Sequence, residues 1–399
     1  MIDHFTDNDA YKFAMQNAVL KKYPRANVVY EFTDRDNREY PDGFGDELYR
    51  HIKEMRGLSL TKDEYDFFRE KSPHLDQGYL DFLKGYRYDP SEVHIVQQGP
   101  KLSQTIKGKW YRTILWEVPE LALTSELYHS MTEDRSNIGP DRFAKERIKM
   151  RIKAERLCSI GAPYSDFGTR RRFSYTIQDE MNRILKEYGG SNFMGTSNVH
   201  FAMKYNTTPI GTMAHEWIMV HGALFGYLSA NPMAMKAWVD VYQGDVGIAL
   251  PDTFTTNMFL KDFGLYLTKL FDGTRQDSGV PTEYAQKLIN KYISLKINPL
   301  SKTIVFSDSL NVDKVESIHN FCKGNINDAY GIGTHLTNDL EGIKPPNIVI
   351  KLQECQRDDN DCWVPCVKIS DDYGKNMGLR RAVVNCIETI NLAIIKEIY

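Results

Sequence analysis

Residues 303–308, Thr303-Ile304-Val305-Phe306-Ser307-Asp308, form a short apolar run that ends in two polar residues and precedes a helical pattern. The same arrangement recurs from residue 165 onward, with turns at 165–170, 192–198, 246–252, 273–279 and 329–334. Repeated strand–turn–helix units predict parallel strands, and six or seven of them in about 230 residues predict a barrel. The polar residues of these turns then lie at the carboxyl ends of the strands, where barrel folds carry their chemistry.

The pattern divides the chain into three predicted parts. Residues 1–128 mix helices with short strands and are typical of an α+β domain. Residues 129–346 begin with a long basic helix, roughly 141–157, and carry the α/β barrel. Residues 347–399 hold a hairpin (348–352 and 364–369) and a closing helix, which we expect to pack back on the first two parts. The fold class is therefore α/β, an irregular (β/α) barrel with an N-terminal α+β domain.

Composition limits the classes of function. A net charge of -3 on 399 residues gives no basic field, so nucleic acid is not an expected partner. No apolar run approaches the ~18 residues that span a bilayer, and the N-terminus lacks the blocks of a signal peptide. We therefore expect a cytoplasmic protein without a membrane partner. The spacing of Cys355, Cys362 and Cys366 matches no zinc pattern with two close pairs.

His215 stands at the start of a predicted helix, after a turn marked by Pro209 and Gly211. Backbone N–H groups at a helix start favour anions, so an imidazole there is suited to handling phosphate or to phosphoryl chemistry. The alternative is a histidine that caps the helix or is satisfied in the core. The residue alone does not decide between the two.

Several turns combine cations with small residues. Arg170 to Arg172 follow a glycine, Arg275 precedes Asp277, and Gly333-Thr334 belongs to a G-x-G-T turn that lets backbone N–H groups approach a phosphate. Together at successive strand ends they favour a polyphosphorylated substrate with Mg²⁺. Singly, each also fits a solvated helix face or an ordinary turn. A P-loop is absent, as is a G-x-G-x-x-G motif after the first strand.

The motifs in their order resemble nicotinate phosphoribosyltransferase over essentially the whole chain. They are Thr6-Asp7-Asn8-Asp9-Ala10-Tyr11-Lys12, Asp166-Phe167-Gly168-Thr169-Arg170-Arg171-Arg172, Gly195-Thr196-Ser197-Asn198, Gly211-Thr212-Met213-Ala214-His215-Glu216-Trp217, Arg275-Gln276-Asp277-Ser278-Gly279 and Phe306-Ser307-Asp308. The resemblance implies a barrel of the type II phosphoribosyltransferase kind, usually assembled as a homodimer. It also implies joining of nicotinate to 5-phosphoribosyl 1-diphosphate in NAD salvage, coupled to ATP hydrolysis.

The resemblance assigns two catalytic residues. His215 matches the histidine that ATP transiently phosphorylates, which requires a neutral imidazole nitrogen as nucleophile. A nearby carboxylate can fix the tautomer of such a ring. Glu216 points elsewhere on the helix, so Asp252 is the better candidate. Asp252 and Asp277 are also the candidate Mg²⁺ ligands.

The remaining assignments concern substrate binding. Phe167 resembles the aromatic residue that stacks on the pyridine ring, and Arg170 the cation near it. Tyr11 matches a tyrosine that reaches over the ring from the partner subunit, so that each site would need two chains. The groups expected around ribose, diphosphate, metal and the 5-phosphate are Arg275, Asp277, Ser307, Asp308, Gly333 and Thr334.

Ser197 and Asn198 bear on the choice of pyridine. Related nicotinamide-using enzymes carry an acid after the Gly-Thr turn, which can accept a hydrogen bond from a carboxamide. Serine and asparagine can instead donate to a carboxylate, which favours nicotinate. Nicotinamide or quinolinate as acceptor, and a phosphate-binding barrel without activity, are the alternatives; quinolinate enzymes are shorter chains. We assign no role to His335.

Overall fold

The computed structural model describes residues 1–132, 140–372 and 374–398. Strands in these ranges form two sheets, one parallel and one antiparallel. The strands are β1 Asn27–Asp34, β2 Val93–Gln98, β3 Lys101–Lys109, β4 Tyr164–Asp166, β5 Phe193–Thr196, β6 Thr208–Pro209, β7 Ile248–Ala249, β8 Gly273–Gln276, β9 Thr303–Phe306, β10 Asn327–Ile332, β11 Ile348–Gln356 and β12 Val364–Pro365.

Helices separate the strands of the parallel sheet. The predicted basic helix is present as α7, a few residues longer at its C-terminal end than expected. The helices are α1 Ala10–Lys22, α2 Phe44–Glu54, α3 Lys62–Lys71, α4 Gln77–Gly85, α5 Trp110–Thr113, α6 Glu117–Thr132, α7 Pro140–Ile160, α8 Tyr175–Tyr188, α9 Val199–Lys204, α10 His215–Phe225, α11 Ala230–Tyr242, α12 Thr256–Asp262, α13 Leu265–Leu270, α14 Pro281–Ser294, α15 Val312–Cys322, α16 Thr334–Thr337 and α17 Arg380–Ile398.

The parallel sheet is a curled half-barrel of seven strands in the order β6-β5-β4-β10-β9-β8-β7. Chain direction explains this order, because β4 to β6 run one way around the curve and β7 to β10 return to β4 from the other side. The edge strands β6 and β7 are joined through α10 and α11. The first residue of α10 is His215, which therefore lies where the barrel opens. The fold class inferred from sequence is confirmed.

The antiparallel sheet has the order β12-β11-β1-β3-β2. Its strand β11 comes from the predicted third part of the chain and pairs with β1 over eight residues, Asn27 to Asp34. The third part thus contributes a strand directly to the N-terminal sheet. The domain limits at residues 128 and 346 stay a prediction.

The strand predicted over 364–369 is much shorter than expected. In the described part of the chain, Val364 and Pro365 pair with β11 opposite Cys355 and Glu354, and the N–H of Cys366 donates to the Gln353 carbonyl at 2.7 Å. Proline has no N–H to continue a ladder. The chain then leaves the sheet and reaches the barrel, where the N–H of Ile369 donates to the carbonyl of Thr253 at 2.9 Å.

Helix α1 is buried around its whole circumference, since nine successive residues from Tyr11 to Val19 are buried. A helix of this kind lies inside a protein rather than on its surface. Its polar side chains find partners: Gln16 donates to the Tyr111 carbonyl at 2.7 Å, and Asn17 donates to the Tyr242 hydroxyl at 3.3 Å. The helix therefore joins the N-terminal part to α11 of the barrel part.

In the described ranges, no helix combines the length and apolar character needed to cross a membrane.

Candidate active site

A cavity of about 660 Å³ opens at the carboxyl ends of the parallel strands. Its volume falls within the range of small-molecule sites. All but two of the residues that the sequence indicated line it, namely Tyr11, Phe167, Arg170, Ser197, His215, Arg275, Asp277, Ser307, Asp308, Gly333 and Thr334. The two that do not line it are Asn198 and Asp252.

The His215 ring is held by contacts to both of its nitrogens. Nδ1 lies 2.9 Å from the Thr253 hydroxyl oxygen. Nε2 lies 3.0 Å from Oδ2 of Asp277 and 2.8 Å from Nζ of Lys368. The ring therefore has a fixed orientation at the first position of α10, with Nε2 between an acid and a cation.

Burial lowers the pKa of His215 below its ordinary value, and the positive charge of Lys368 lowers it further. Asp252 and Asp277 oppose this shift without reversing it. The neutral imidazole is thus the favoured form, and a neutral ring keeps one nitrogen lone pair available for nucleophilic attack. A capping role does not account for this histidine, because the N-cap position is Ala214 and both ring nitrogens of His215 contact other side chains.

Asp252 does not orient the ring in the way that we expected. Its Oδ1 lies 3.7 Å from Nε2 of His215, beyond hydrogen-bond distance, and Nδ1 faces Thr253 instead. Asp252 accepts a hydrogen bond from Ser278 at 2.7 Å and pairs with Lys368 at 3.1 Å. Asp252 lies in the turn after β7, and its contacts to Ser278 and Lys368 help to hold the residues around the ring.

Thr253 and Lys368 were missed by the sequence reasoning. Thr253 follows Asp252 directly at a strand end, so a search of both positions in that turn would have included it. Lys368 lies in a segment that the barrel pattern did not cover, and nothing local to it indicated a contact with His215.

His215, Asp252 and Asp277 are the group of described residues that offers ligand atoms within 4.8 Å of one another. Mg²⁺ prefers six oxygen ligands and is often bound by one or two carboxylates together with substrate phosphates. Asp277 lines the cavity and fits such a role. Asp252 does not, because it is buried and already neutralised by Lys368.

Asp277 is itself surrounded by donors. Ser307 donates to its Oδ1 at 2.9 Å, and the guanidinium of Arg275 lies 3.8 Å from the same oxygen. Burial would raise the pKa of Asp277, but Arg275 and His215 outweigh burial and hold that pKa well below its usual range. The carboxylate is therefore ionised at the cavity wall.

The three successive arginines have three different environments. Arg170 projects into the cavity, with 47% of its side chain exposed, and donates to Glu117 at 3.2 Å. Arg171 donates to the Ile348 carbonyl at 2.8 Å, and burial lowers its pKa to about 10. Arg172 is fully buried and makes a two-pronged pair with Asp7 at 2.8 and 2.9 Å. A solvated helix face is therefore not the reason for this run.

Lys12 links the cavity wall to the N-terminal part. It lies 2.6 Å from Glu117 and 3.0 Å from Glu216. Burial would raise the pKa of both acids. Lys12 and Arg170 together lower that of Glu117, whereas Glu216, with Lys12 alone as a close cation, keeps a raised pKa. The ion pair between Lys12 and Glu216 holds Glu216, the residue after His215, in place.

Tyr11 lines the cavity of its own chain, and the contribution of a tyrosine from the partner subunit stays a prediction. The N–H of Ala10 donates to the Ser197 carbonyl at 2.7 Å and fixes this segment against β5 of the same chain. Gly211 allows the approach, since a Cβ there would lie 2.5 Å from the Tyr11 nitrogen.

Ser197 and Asn198 are both committed to neighbouring acids. The Ser197 hydroxyl donates to Oδ1 of Asp9 at 2.8 Å, and Asn198 donates to Asp7 at 2.7 Å from a fully buried position. Asn198 is thus a structural residue. Asp9 lines the cavity, and burial raises the pKa of its carboxyl.

Phe167 and Gly331 meet at one end of the cavity. A Cβ at Gly331 would lie 2.3 Å from the Phe167 ring, so the glycine provides the space that the ring occupies. Nearby, Lys375 lies 3.0 Å from Asp308. His335, beyond Thr334, lies 3.3 Å from Asp339 and does not line the cavity.

Comparison with known proteins matches both parts of the chain to one family. Residues 163–394 match the model of the Nicotinate phosphoribosyltransferase (NAPRTase) family, and residues 6–125 match its N-terminal domain. The chain belongs to the nicotinate phosphoribosyltransferase family. The family's two matched ranges contain the residues described above on both sides of the cavity.

Relatives named nicotinate phosphoribosyltransferase match nearly end to end. One from Chromohalobacter salexigens is 48% identical, with 95% of each chain covered. One from Methanosarcina mazei is 42% identical, with 96% of this chain and 97% of the relative covered. A crystal structure of nicotinate phosphoribosyltransferase from Porphyromonas gingivalis superimposes with a TM-score of 0.94 at 39% identity, covering 98% of this chain and 100% of that one.

Proposed function

We propose that this member of the family joins nicotinate to 5-phosphoribosyl 1-diphosphate, forming nicotinate mononucleotide and diphosphate for NAD salvage. ATP hydrolysis is coupled to the reaction through a transient phosphohistidine at His215. The observation that carries the coupling is the fixed geometry of the imidazole, which is 14% exposed and whose Nε2 lies 2.8 Å from Lys368 and 3.0 Å from Asp277. A ring held this way is a prepared nucleophile.

Phosphorylation forms a bond from Nε2 to the γ-phosphorus of ATP and breaks the bond from that phosphorus to the bridging oxygen, whose electron pair leaves with ADP. The ring proton stays on Nδ1, where Thr253 accepts it at 2.9 Å. Asp252 and Asp277 stabilise the positive charge that the ring gains. Water later hydrolyses the phosphoramidate bond and restores the ring.

Glycosyl transfer separates positive charge at ribose C1 from negative charge on the departing diphosphate. Arg275 and Asp277 lie at one wall and Ser307, Asp308 and Thr334 at the next. Asp277 is the residue that would hold a Mg²⁺ ion, which would supply positive charge to the leaving diphosphate. Arg275 acts on the same developing charge through its guanidinium.

The pyridine end of the site is assigned to Phe167 and Arg170. An aromatic face stacks on the ring, and the partly exposed guanidinium of Arg170 pairs with a carboxylate. Ser197 no longer carries the argument for nicotinate, because its hydroxyl is donated to Asp9. Arg170 carries it instead.

Asp9 favours a second candidate substrate, nicotinamide. A carboxylate at the cavity wall can accept hydrogen bonds from a carboxamide NH₂. Turnover with nicotinate, nicotinamide and quinolinate under the same conditions separates these possibilities. Preference for the amide would overturn the assignment of Arg170 as the substrate's counter-ion.

Labelling with γ-³²P ATP tests the coupling. We expect acid-labile label on the native protein and none on a His215→Gln variant. A His94→Gln variant is the matched control, since His94 is exposed on β2 outside the cavity. Full labelling of His215→Gln would refute the phosphohistidine. A homodimer stays a prediction, which sedimentation at several concentrations checks.

A further inference from the structure

Lys368 reaches His215 from a strap, residues 368–377, whose described residues hydrogen-bond to the loops after β7 and β8. The two ends of the strap pair with each other: the N–H of Lys368 donates to the Met377 carbonyl at 3.1 Å, and the N–H of Met377 donates to the Lys368 carbonyl at 2.8 Å. The next residue, Ile369, is tied to the Thr253 carbonyl. The strap thus contacts the loop after β7 beside the His215 ring and holds the lysine stem there.

The charged group of Lys368 lies among the functional atoms of the site. With 6% of its side chain exposed, Nζ lies 3.1 Å from Oδ2 of Asp252 and 2.8 Å from Nε2 of His215. The lysine is thus held by an acid on one side and by the ring on the other. It also lines the cavity.

The hydrogen-bonding capacities of these groups conflict at Nε2. An ammonium group has three donors and no acceptor, so a contact of 2.8 Å requires Nε2 to be the acceptor. The carboxylate of Asp277, 3.0 Å from the same nitrogen, accepts only and is best served by a protonated Nε2. Lys368 and Asp277 therefore favour opposite tautomers of the ring.

Thr253 does not decide between the tautomers. A hydroxyl both donates and accepts, so its 2.9 Å contact to Nδ1 is satisfied by either tautomer. Asp277 has other donors, since Ser307 and Arg275 both approach its Oδ1. Both groups have a further partner, Asp252 for the ammonium and Ser307 for the acid, and the ammonium makes the shorter contact to Nε2, 2.8 Å against 3.0 Å.

We propose that Lys368 is the positioning residue that selects the tautomer of His215 with a bare Nε2, and that its ammonium passes from Nε2 to the phosphoryl oxygens during transfer. This role rests on the proposed phosphohistidine. Before transfer the ammonium donates a hydrogen bond to the lone pair of Nε2. The flexible stem of a lysine allows the ammonium to move the short distance from Nε2 to the phosphoryl oxygens. Lys368 keeps its ion pair with Asp252 during this movement.

The step is balanced without any group beyond ATP and the ring. The lone pair that accepted the hydrogen bond of Lys368 becomes the N–P bond, and the P–O bonding pair leaves on ADP. The proton of Nδ1 stays in place. The hydrogen bond that Lys368 made to nitrogen is then made to phosphoryl oxygen, which carries more negative charge and binds an ammonium more strongly.

The tautomer can be measured on the unliganded protein at fixed pH. With ¹⁵N-labelled imidazoles and a His215→Gln variant for assignment, we expect a pyridine-type Nε2 and a pyrrole-type Nδ1 at His215. In Lys368→Met we expect the reverse assignment, a pyrrole-type Nε2 and a pyridine-type Nδ1, because Asp277 then attracts the proton to Nε2. A pyrrole-type Nε2 in the native protein, or an unchanged ring in Lys368→Met, would overturn the proposal.

Single-turnover labelling from γ-³²P ATP measures the kinetic role. We expect the rate of label uptake by Lys368→Met to fall about a hundredfold or more, as for loss of one preorganised donor, and Lys368→Arg to recover part of it. Lys302→Met is the matched control: Lys302 is also buried and donates to a carbonyl, that of Phe271, but lies at the start of β9 away from the cavity.

The two measurements keep the failures apart. If the native protein takes up no label, the phosphohistidine is wrong, and the tautomer experiment still reports on Lys368 and His215. If the native protein is labelled and Lys368→Met is labelled at the native rate, the role of Lys368 is wrong while the proposed function stands.

Discussion

Lys12 on α1 and Glu216 on α10 form an ion pair inside the protein, with 3.0 Å between Nζ and Oε1 and with 0% and 7% of their side chains exposed. The pair connects the N-terminal helix to the residue next to His215. Glu117 lies on the other side of the same ammonium, at 2.6 Å. One cation thus pairs with two acids, the buried Glu216 and the cavity-lining Glu117.

Replacing Lys12 by methionine should destabilise the protein strongly. Glu216 would be left buried without a close cation while Glu117 would keep only Arg170, and breaking a buried pair from one side costs about 3–5 kcal/mol. Urea unfolding measures the change. Lys22→Met is the matched control, because Lys22 pairs with Asp240 at the surface, with 31% and 46% of the side chains exposed, and should cost less than about 1 kcal/mol. Equal losses would contradict the role assigned to burial.

Thr253→Val should slow phosphorylation of His215 while leaving the fold intact. The substitution keeps the branched shape and removes the oxygen that lies 2.9 Å from Nδ1. Loss of one hydrogen bond of about 1 kcal/mol predicts a five- to tenfold lower rate of label uptake from ATP. Thr253→Ser, which retains the hydroxyl, should remain near the native rate. Similar rates for valine and serine would show that the hydroxyl does not orient the ring.

Gly331→Ala should weaken binding of the pyridine substrate. The added methyl would lie 2.3 Å from the ring of Phe167 and displace it within the cavity. We expect a raised KM for the pyridine, with a smaller change in KM for 5-phosphoribosyl 1-diphosphate. Gly264→Ala is a suitable control, since a Cβ there meets nothing within 4 Å. Equal changes in both KM values would argue against a specific effect on Phe167.

Glu120 should make stability depend on pH between about 4.5 and about 8. Burial raises the pKa of this carboxyl to about 8, and neither side-chain oxygen has a hydrogen-bond partner among the described residues. The folded state therefore binds a proton that the unfolded state releases near its ordinary pKa of 4.5. Stability from this group is complete below about pH 4.5, declines as pH rises, and is fully lost once pH has risen through about 8.

Glu120→Gln removes that titration. At pH 5 the variant and the native protein should unfold at similar urea concentrations. At pH 8 and above the variant should be more stable, by an amount on the order of 3–5 kcal/mol. A constant difference across the pH range would mean that Glu120 is not protonated in the folded state.

The positions of the site residues along strands were accessible from sequence, and their partners were not. Periodicity placed His215 at a helix start and Asp277, Ser307 and Thr334 at strand ends, because turn chemistry and strand ends are local properties. The contact from Lys368 spans 153 residues of chain and depends on how the strap contacts the barrel. No local pattern encodes such a contact.

Burial separated residues that look alike in sequence. Arg170 and Arg172 stand two positions apart, yet one enters the cavity and the other pairs with Asp7 in the interior. A short 3-10 turn at 169–171 directs the side chains differently. Similarly, the sequence alone allowed the hydroxyl of Ser197 to bind a substrate, whereas in the structure this hydroxyl donates to Asp9. Both outcomes depend on tertiary packing.

The pairing of β1 with β11 has a consequence for biosynthesis. Strand β1 ends at residue 34, whereas its neighbour β11 begins at residue 348. During translation the emerging N-terminal sheet therefore presents an unpaired edge until nearly all of the chain has left the ribosome. An exposed strand edge invites association with other chains. The edge of this sheet is therefore covered only late in synthesis. Chains truncated before residue 348 should accumulate as aggregates.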